Sequence, residues 1–138
     1  MIVVIDSNVL SACVPRASQH RWLFDALRAG AFRYGISTDI LEEYEEHLGW
    51  YYSPKLAENV VEGLKNSRNA ILVSPSYFWR FIEADPDDNK FVDCAIACAA
   101  DYLITEDGHF KVLDSIAFPK VRRVTLAQFK QVFELRTA

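Results

Sequence analysis

The sequence predicts an α/β fold in which a parallel sheet is covered by helices on both faces. Three observations predict it. Short apolar runs, Ile2-Val3-Val4-Ile5 and "YLIT" at 102–105, both fit for burial, and "AILVS" at 70–74, lack the polar alternation of a half-solvated sheet. Segments with apolar residues at helical spacing stand between such runs. The order strand, helix, strand, helix then recurs in the second half of the chain.

Each element has its own signals. Residues 2–5 form the first strand and end on Asp6. In "SQHRWLFDALRAG", Trp22, Leu23, Ala26 and Leu27 share a helical face, with Ser18 as a cap and Gly30 as a stop. "FRYGIS" reads as the second strand, and "TDILEEYEEHL" as a helix that starts at Thr38 or Asp39. After Pro54, Leu56, Val60, Val61 and Leu64 recur at helical spacing, and "AILVS" is the third strand. In "DPDDNKFVDCAIACAAD", Asp87 or Asp88 caps a helix that turns Phe91, Ala95, Ile96 and Ala99 inward. "YLIT" follows as a buried strand, "VRRV" as the last strand, and Thr125 caps a terminal helix in "TLAQFKQVFEL".

At 138 residues, half of them hydrophobic, the chain is expected to form one domain over residues 1–138. Its apolar runs are far shorter than the roughly 18 to 20 residues of a membrane span, and no leader pattern opens it, so a cytoplasmic protein without membrane contact is expected. Cys94 and Cys98 lie four apart on one helix and Cys13 is left over, which describes free thiols packed as small hydrophobes. His20, His47 and His109 are scattered, with none at zinc-ligand spacing from a cysteine. A net charge of -4 means that any polyanionic substrate must be gripped locally.

The run at 2–5 raises a chemical question, because a buried, unpaired carboxylate directly after it would be expensive. In open parallel sheets, sites form beyond the carboxyl ends of strands where the strand order reverses. Asp6 stands at such an end, and Asp107 holds the same place after "YLIT". Glu43, early in the helix after the second strand, and Asp88, before the helix leading to "YLIT", can reach the same crevice. Carboxylates crowded together repel unless a cation separates them, and an all-oxygen donor set points to magnesium or manganese. Such a site supports metal-assisted hydrolysis of a phosphodiester. Taken singly, each acid reads as a turn, a cap or a solvated helix face; their convergence points to chemistry.

These blocks, "VVIDSNVL", "STDILEEYEEHL", "DPDDNKFVDCAIACAADYLITEDGHF" and "VRRVTLAQF", resemble the PIN domain over essentially the whole chain. The likeness is greatest to the ribonuclease toxins of prokaryotic toxin-antitoxin pairs. The resemblance implies a three-layer α/β/α sandwich with a parallel sheet of about five strands, and an endoribonuclease dependent on Mg2+ or Mn2+. It implies that Asp6, Glu43, Asp88 and Asp107 are catalytic metal ligands, with Asn8 and Thr105 orienting the carboxylates or the attacking water. It also implies products with a 5′-phosphate and a 3′-hydroxyl. Glu42 beside Glu43, and Asp85, Asp87 and Asp93 beside Asp88, are the alternatives at those two positions. Glu106 departs from the glycine or basic residue often found before the last aspartate, and adds negative charge.

RNA is the implied substrate, with Arg16 and Arg21, near His20, as candidate phosphate contacts; Lys55, Lys65 and Arg68, and Lys120, Arg122 and Arg123, are further basic groups. The aromatic clusters Trp50, Tyr51, Tyr52 and Tyr77, Phe78, Trp79, Phe81 are expected to lie at least half in the core, the rest forming a homodimer face or a groove for an apolar antitoxin helix. Two enzyme classes drop out. A haloacid-dehalogenase-type phosphatase needs a second aspartate where Asn8 stands, and a receiver domain needs one after the third strand, where "ILVSPSY" stands. The alternative function is a PIN-like binding or assembly module with weak or no nuclease activity.

Overall fold

In a computed structural model that describes residues 1–137, five parallel strands form one sheet in the order β3-β2-β1-β4-β5. The strands are β1 Ile2–Ile5, β2 Arg33–Ile36, β3 Ala70–Leu72, β4 Tyr102–Ile104 and β5 Arg123–Val124. The helices are α1 Ser7–Cys13, α2 Arg21–Arg28, α3 Thr38–Tyr51, α4 Pro54–Asn66, α5 Asn89–Ala97 and α6 Leu126–Thr137. Short 3-10 segments at Pro86–Asp88 and Gly108–Ser115 flank the carboxyl ends of the strands. The architecture is a three-layer α/β/α sandwich.

Burial explains the sheet. Val3, Val4, Leu103 and Ile104 are inaccessible to solvent, as strands covered on both faces require. Neighbouring residues of β2 identify the two faces. Tyr34 sends its hydroxyl to the Leu64 carbonyl of α4 at 2.7 Å, whereas Gly35 faces the cysteines of α5. A Cβ on Gly35 would stand 2.7 Å from Cys98 Sγ and 3.2 Å from Cys94 Sγ, so only glycine lets α5 lie this close to the sheet. All three cysteines are free, as expected.

Helix boundaries follow local chemistry. Ser37 accepts the Ile40 N–H to open α3, and Ser53 accepts the Leu56 N–H to open α4, with Pro54 as its first residue. Thr125 and Gln128 form a reciprocal capping box for α6. Gly30, at φ +76°, ends the turn after α2.

Several expectations are corrected. Ser18 does not cap α2; its hydroxyl binds the Ala12 carbonyl and the His20 N–H, closing the loop before the helix. Ala99 does not point inward, because it lies beyond α5 at φ +52° and is exposed, and Val92 and Cys94 fill the core instead. Asp88 precedes α5 but makes no cap hydrogen bond; Asp85 caps the preceding 3-10 turn through the Asp87 N–H. The helix α1 was not expected, since seven residues are too few to display a period. The sequence "GWY" forms the last turn of α3, and most of the aromatic clusters lie outside the core. Trp50 is 72% exposed, and Tyr51, Tyr52, Tyr77 and Phe78 are also exposed, so only Trp79 and Phe81 are partly covered.

Candidate active site

The strand order reverses between β1 and β4, which pair directly with Ile5 opposite Ile104. The Asp6 N–H extends this ladder to the Ile104 carbonyl at 3.0 Å. Asp6 and Thr105 therefore leave the sheet side by side at its carboxyl edge. The Thr105 hydroxyl donates to Asp6 Oδ2 at 2.9 Å and accepts the Asp107 N–H at 3.1 Å. One buried hydroxyl thus fixes two acids from different strands.

Glu43 and Asp88 complete the group. Glu43 lies one turn into α3, where it accepts the Ser7 hydroxyl from α1 and, at 2.9 Å, the Lys90 ammonium from α5. Glu42 beside it is exposed, so Glu43 faces the crevice. Asp88 lies half-buried between its 3-10 turn and His109. Its Oδ2 is wholly buried and has no hydrogen-bond partner; His109 Nδ1 approaches only to 3.5 Å. His109 Nδ1 is also 3.5 Å from Asp107 Oδ1, which accepts the His109 N–H at 2.9 Å.

The four acids act on one another electrically. Burial pushes the Asp6 carboxyl up to about 6; the Thr105 hydroxyl and the Ser7 N–H oppose the rise, while the charges of Glu43 and Asp107 add to it. Burial also lifts Asp88 to about 7, reinforced by Asp85, Asp6 and Asp107 and opposed by His109. For Lys90, burial works against its charge but Glu43, Asp87 and Asp39 outweigh it, so its pKa is raised. These shifts describe negative charge packed beyond what its own hydrogen bonds neutralise. The orphaned Asp88 oxygen and the oxygen-rich donor set fit a divalent cation.

The neighbouring acids have other duties. Asp93 is buried and accepts the Trp79 N–H at 3.1 Å, anchoring the irregular 73–84 segment. Asp87 is exposed. Glu106 turns away to accept the Leu126 N–H at 2.7 Å, so its charge meets the amino terminus of α6 rather than the acids. Asn8 is exposed and hydrogen-bonds none of the acids; Ser7 takes the carboxylate-orienting contact expected of it.

The basic residues also fall differently. Arg21 is committed to Asp25 at 2.9 Å and to the Val14 carbonyl, and stacks over Phe24, so it braces the loop before α2 instead of awaiting phosphate. Arg16 is exposed, beyond the far end of α1, which carries the chain about 10 Å from Asp6. Lys120 and Arg122 precede β5, at the amino edge of the sheet opposite the acids, and Arg123 pairs with Asp114 through two bonds. The basic side chains near the site are Lys90 and His109. A sequence carries little trace of either, because Lys90 is 47 residues from Glu43 and His109 is 21 from Asp88.

Beside the acids runs a groove of about 1080 Å³ between α3 and the 78–93 region, whose walls include Glu43, His47, Trp50, Phe78, Arg80 and Lys90. The His47 and Trp50 rings stack at 5.7 Å. No helix among the described residues is long and apolar enough to cross a membrane.

A family model described as a PIN domain matches residues 2–109. No curated protein matches the chain. Among solved structures, the fold is similar to a chain in the crystal structure of VapBC2 from Rickettsia felis bound to a DNA fragment from their promoter. The TM-score is 0.62 at 15% identity, covering 91% of this chain and 98% of that one. At this identity the likeness is one of fold.

Proposed function

The chain belongs to the PIN domain family, and on that premise we propose that it is a metal-dependent endoribonuclease, the toxin of a toxin-antitoxin pair, acting in the cytoplasm as a single domain over residues 1–138. The observation that carries this reading is the meeting of Asp6, Glu43, Asp88 and Asp107, from four separate elements, beyond the carboxyl ends of the paired strands β1 and β4. Those four acids hold the ion, Mg2+ or Mn2+. When bound, the ion polarises the phosphodiester and makes water a competent nucleophile near neutral pH.

The chain's own residues prepare that chemistry. Thr105 fixes the Asp6 carboxylate and the Asp107 backbone together, and Ser7 fixes Glu43. Lys90 offers an ammonium at the cleft wall for a phosphate oxygen of the RNA, and Arg80 offers a second charge farther along the groove. The exposed rings of Trp50 and Phe78, with Tyr51 and Tyr77 close by in sequence, form the face on which the antitoxin docks. The VapBC2 assembly of the fold neighbour supports a protein partner. A homodimer through the same rings is the competing use of that surface.

The test is cleavage of end-labelled, partly single-stranded RNA with Mg2+, with Mn2+ and with chelator, using wild type beside Asp6→Asn and Asp107→Asn. Cleavage is expected only with metal and with both aspartates, leaving 5′-phosphate ends. Cleavage that persists in chelator and in both variants refutes the mechanism. A second reading, a binding module without nuclease activity, draws on Lys90, whose ammonium already neutralises Glu43 without an ion. A folded protein that binds metal yet cuts no RNA favours it.

A further inference from the structure

We propose that His109 is itself a ligand of the metal centre through Nδ1, making a mixed oxygen and nitrogen site that prefers Mn2+ to Mg2+. The proposal rests on the nuclease reading only for the presence of an ion, and none of its geometry depends on RNA.

The position of the imidazole argues for it. His109 Nδ1 lies 3.5 Å from Asp88 Oδ2 and 3.5 Å from Asp107 Oδ1. Both distances exceed the roughly 2.7–3.2 Å of an N–H to oxygen bond, so the ring stands between two carboxylates without closing on either. By contrast, two donors each about 2.1–2.2 Å from one ion, at roughly 90–110°, lie about 3.0–3.6 Å apart. The observed separation is that of two ligands across a shared cation.

Two further features agree. Asp88 Oδ2, one of the two oxygens facing the ring, is buried without a hydrogen-bond partner, which is costly unless something else completes its shell. The tight cluster is Asp85, Asp88 and His109, one ligand atom of each lying within 4.8 Å of the others. The backbone at His109 is held in place, because its amide N–H bonds Asp107 Oδ1 and the next residue, Phe110, is fully buried, while the half-exposed ring reaches the carboxylates from the solvent side. An imidazole among carboxylates changes which ion fits. Magnesium favours oxygen and keeps its waters, whereas manganese accepts carboxylate and imidazole together.

The test loads the full-length chain with Mn2+ alone at neutral pH and reads pulsed electron paramagnetic resonance. Imidazole nitrogen modulation is expected in wild type, is expected to change on 15N-histidine labelling, and is expected to vanish in His109→Gln. Calorimetric titration of the same proteins should give Mn2+ binding weakened on the order of tenfold or more in His109→Gln. Mg2+ binding should change by less than about threefold. An oxygen-only spectrum from wild type overturns the proposal whether or not the variant folds. Modulation that survives in the variant, or equal weakening for both ions, also overturns it. Metal-dependent RNA cleavage with an oxygen-only spectrum refutes His109 as ligand and leaves the nuclease standing. Nitrogen coupling without any cleavage supports the ligand and refutes the nuclease.

Discussion

Replacing the most buried acid of the site should stabilise the metal-free protein while removing its function. Asp6 is 4% exposed and its carboxyl is raised from 3.8 to about 6, chiefly by burial. A group whose pKa is raised on folding binds its proton more tightly in the native state. Native stability is therefore undiminished below about pH 4, falls as pH rises through the window between 3.8 and about 6, and is flat above it. The rise from 3.8 to about 6 corresponds to a loss of about 3 kcal/mol at pH 7.5 and about half that at pH 5. Asp6→Asn removes this loss and keeps an oxygen to accept the Thr105 hydroxyl, but its amide brings donors that the site does not match, at about 1 kcal/mol or more. The net expectation is a gain of about 1–2 kcal/mol at pH 7.5, or several degrees in Tm. Urea unfolding with chelator at pH 7.5 and pH 5 measures it, and the gain should shrink at the lower pH. Saturating Mn2+ should reverse the order, since an ion at 100 times its Kd adds about 2.7 kcal/mol to the protein that binds it. An Asp6→Asn protein less stable than wild type in chelator at pH 7.5, or a gain independent of pH, would refute the reasoning.

Four other outcomes follow from the same contacts. Thr105→Val removes the hydrogen bond that holds the Asp6 carboxyl down, so the acid limb of the pH–rate profile should move to higher pH and cleavage at pH 7 should fall by roughly 10- to 100-fold, with Thr105→Ser near wild type; an unmoved limb counts against it. Lys90→Met leaves half-buried Glu43 without its cation and should lose about 1 kcal/mol in chelator, recovered by saturating divalent ion; equal losses with and without ion would contradict this in denaturant titrations. Gly35→Ala drives a methyl into Cys98 Sγ and should cost about 1–3 kcal/mol in thermal unfolding, partly relieved by adding Cys98→Ala. Ala99→Gly should stabilise by about 1 kcal/mol, because Ala99 closes α5 at a positive φ that glycine adopts without strain.

The layout of the chain was legible because the central strands β1 and β4 are buried on both faces and the longer helices carry an apolar stripe. Both are properties of neighbouring residues, so a sequence displays them directly. Thr125 could be read as a helix cap for the same reason, since it acts on a residue three positions away, and the expected start at Thr38 holds with Ser37 before it as the cap. What failed was whatever depended on length or on distant chain. Helix α1 is shorter than two full periods, and the clusters around Trp50 and Phe78 look like core material by composition although most of their rings are exposed.

The candidate site divides along the same line. The sequence by itself determined that acids follow two buried strands, that another lies early in a helix and that another precedes a helix, because burial of the runs and the spacing within each block are local facts. It could not determine that Ser7 and Lys90 would hold Glu43, that Thr105 would bridge Asp6 and Asp107, or that His109 would stand between Asp88 and Asp107. Those contacts exist because β4 inserts beside β1 after a crossover of about a hundred residues, bringing together groups whose separation along the chain has no bearing on their separation in space. The physical reason is that side-chain periodicity reports which face is buried, whereas the field at a carboxylate depends on every charge within a few ångströms. Only the order of the strands decides which charges those are.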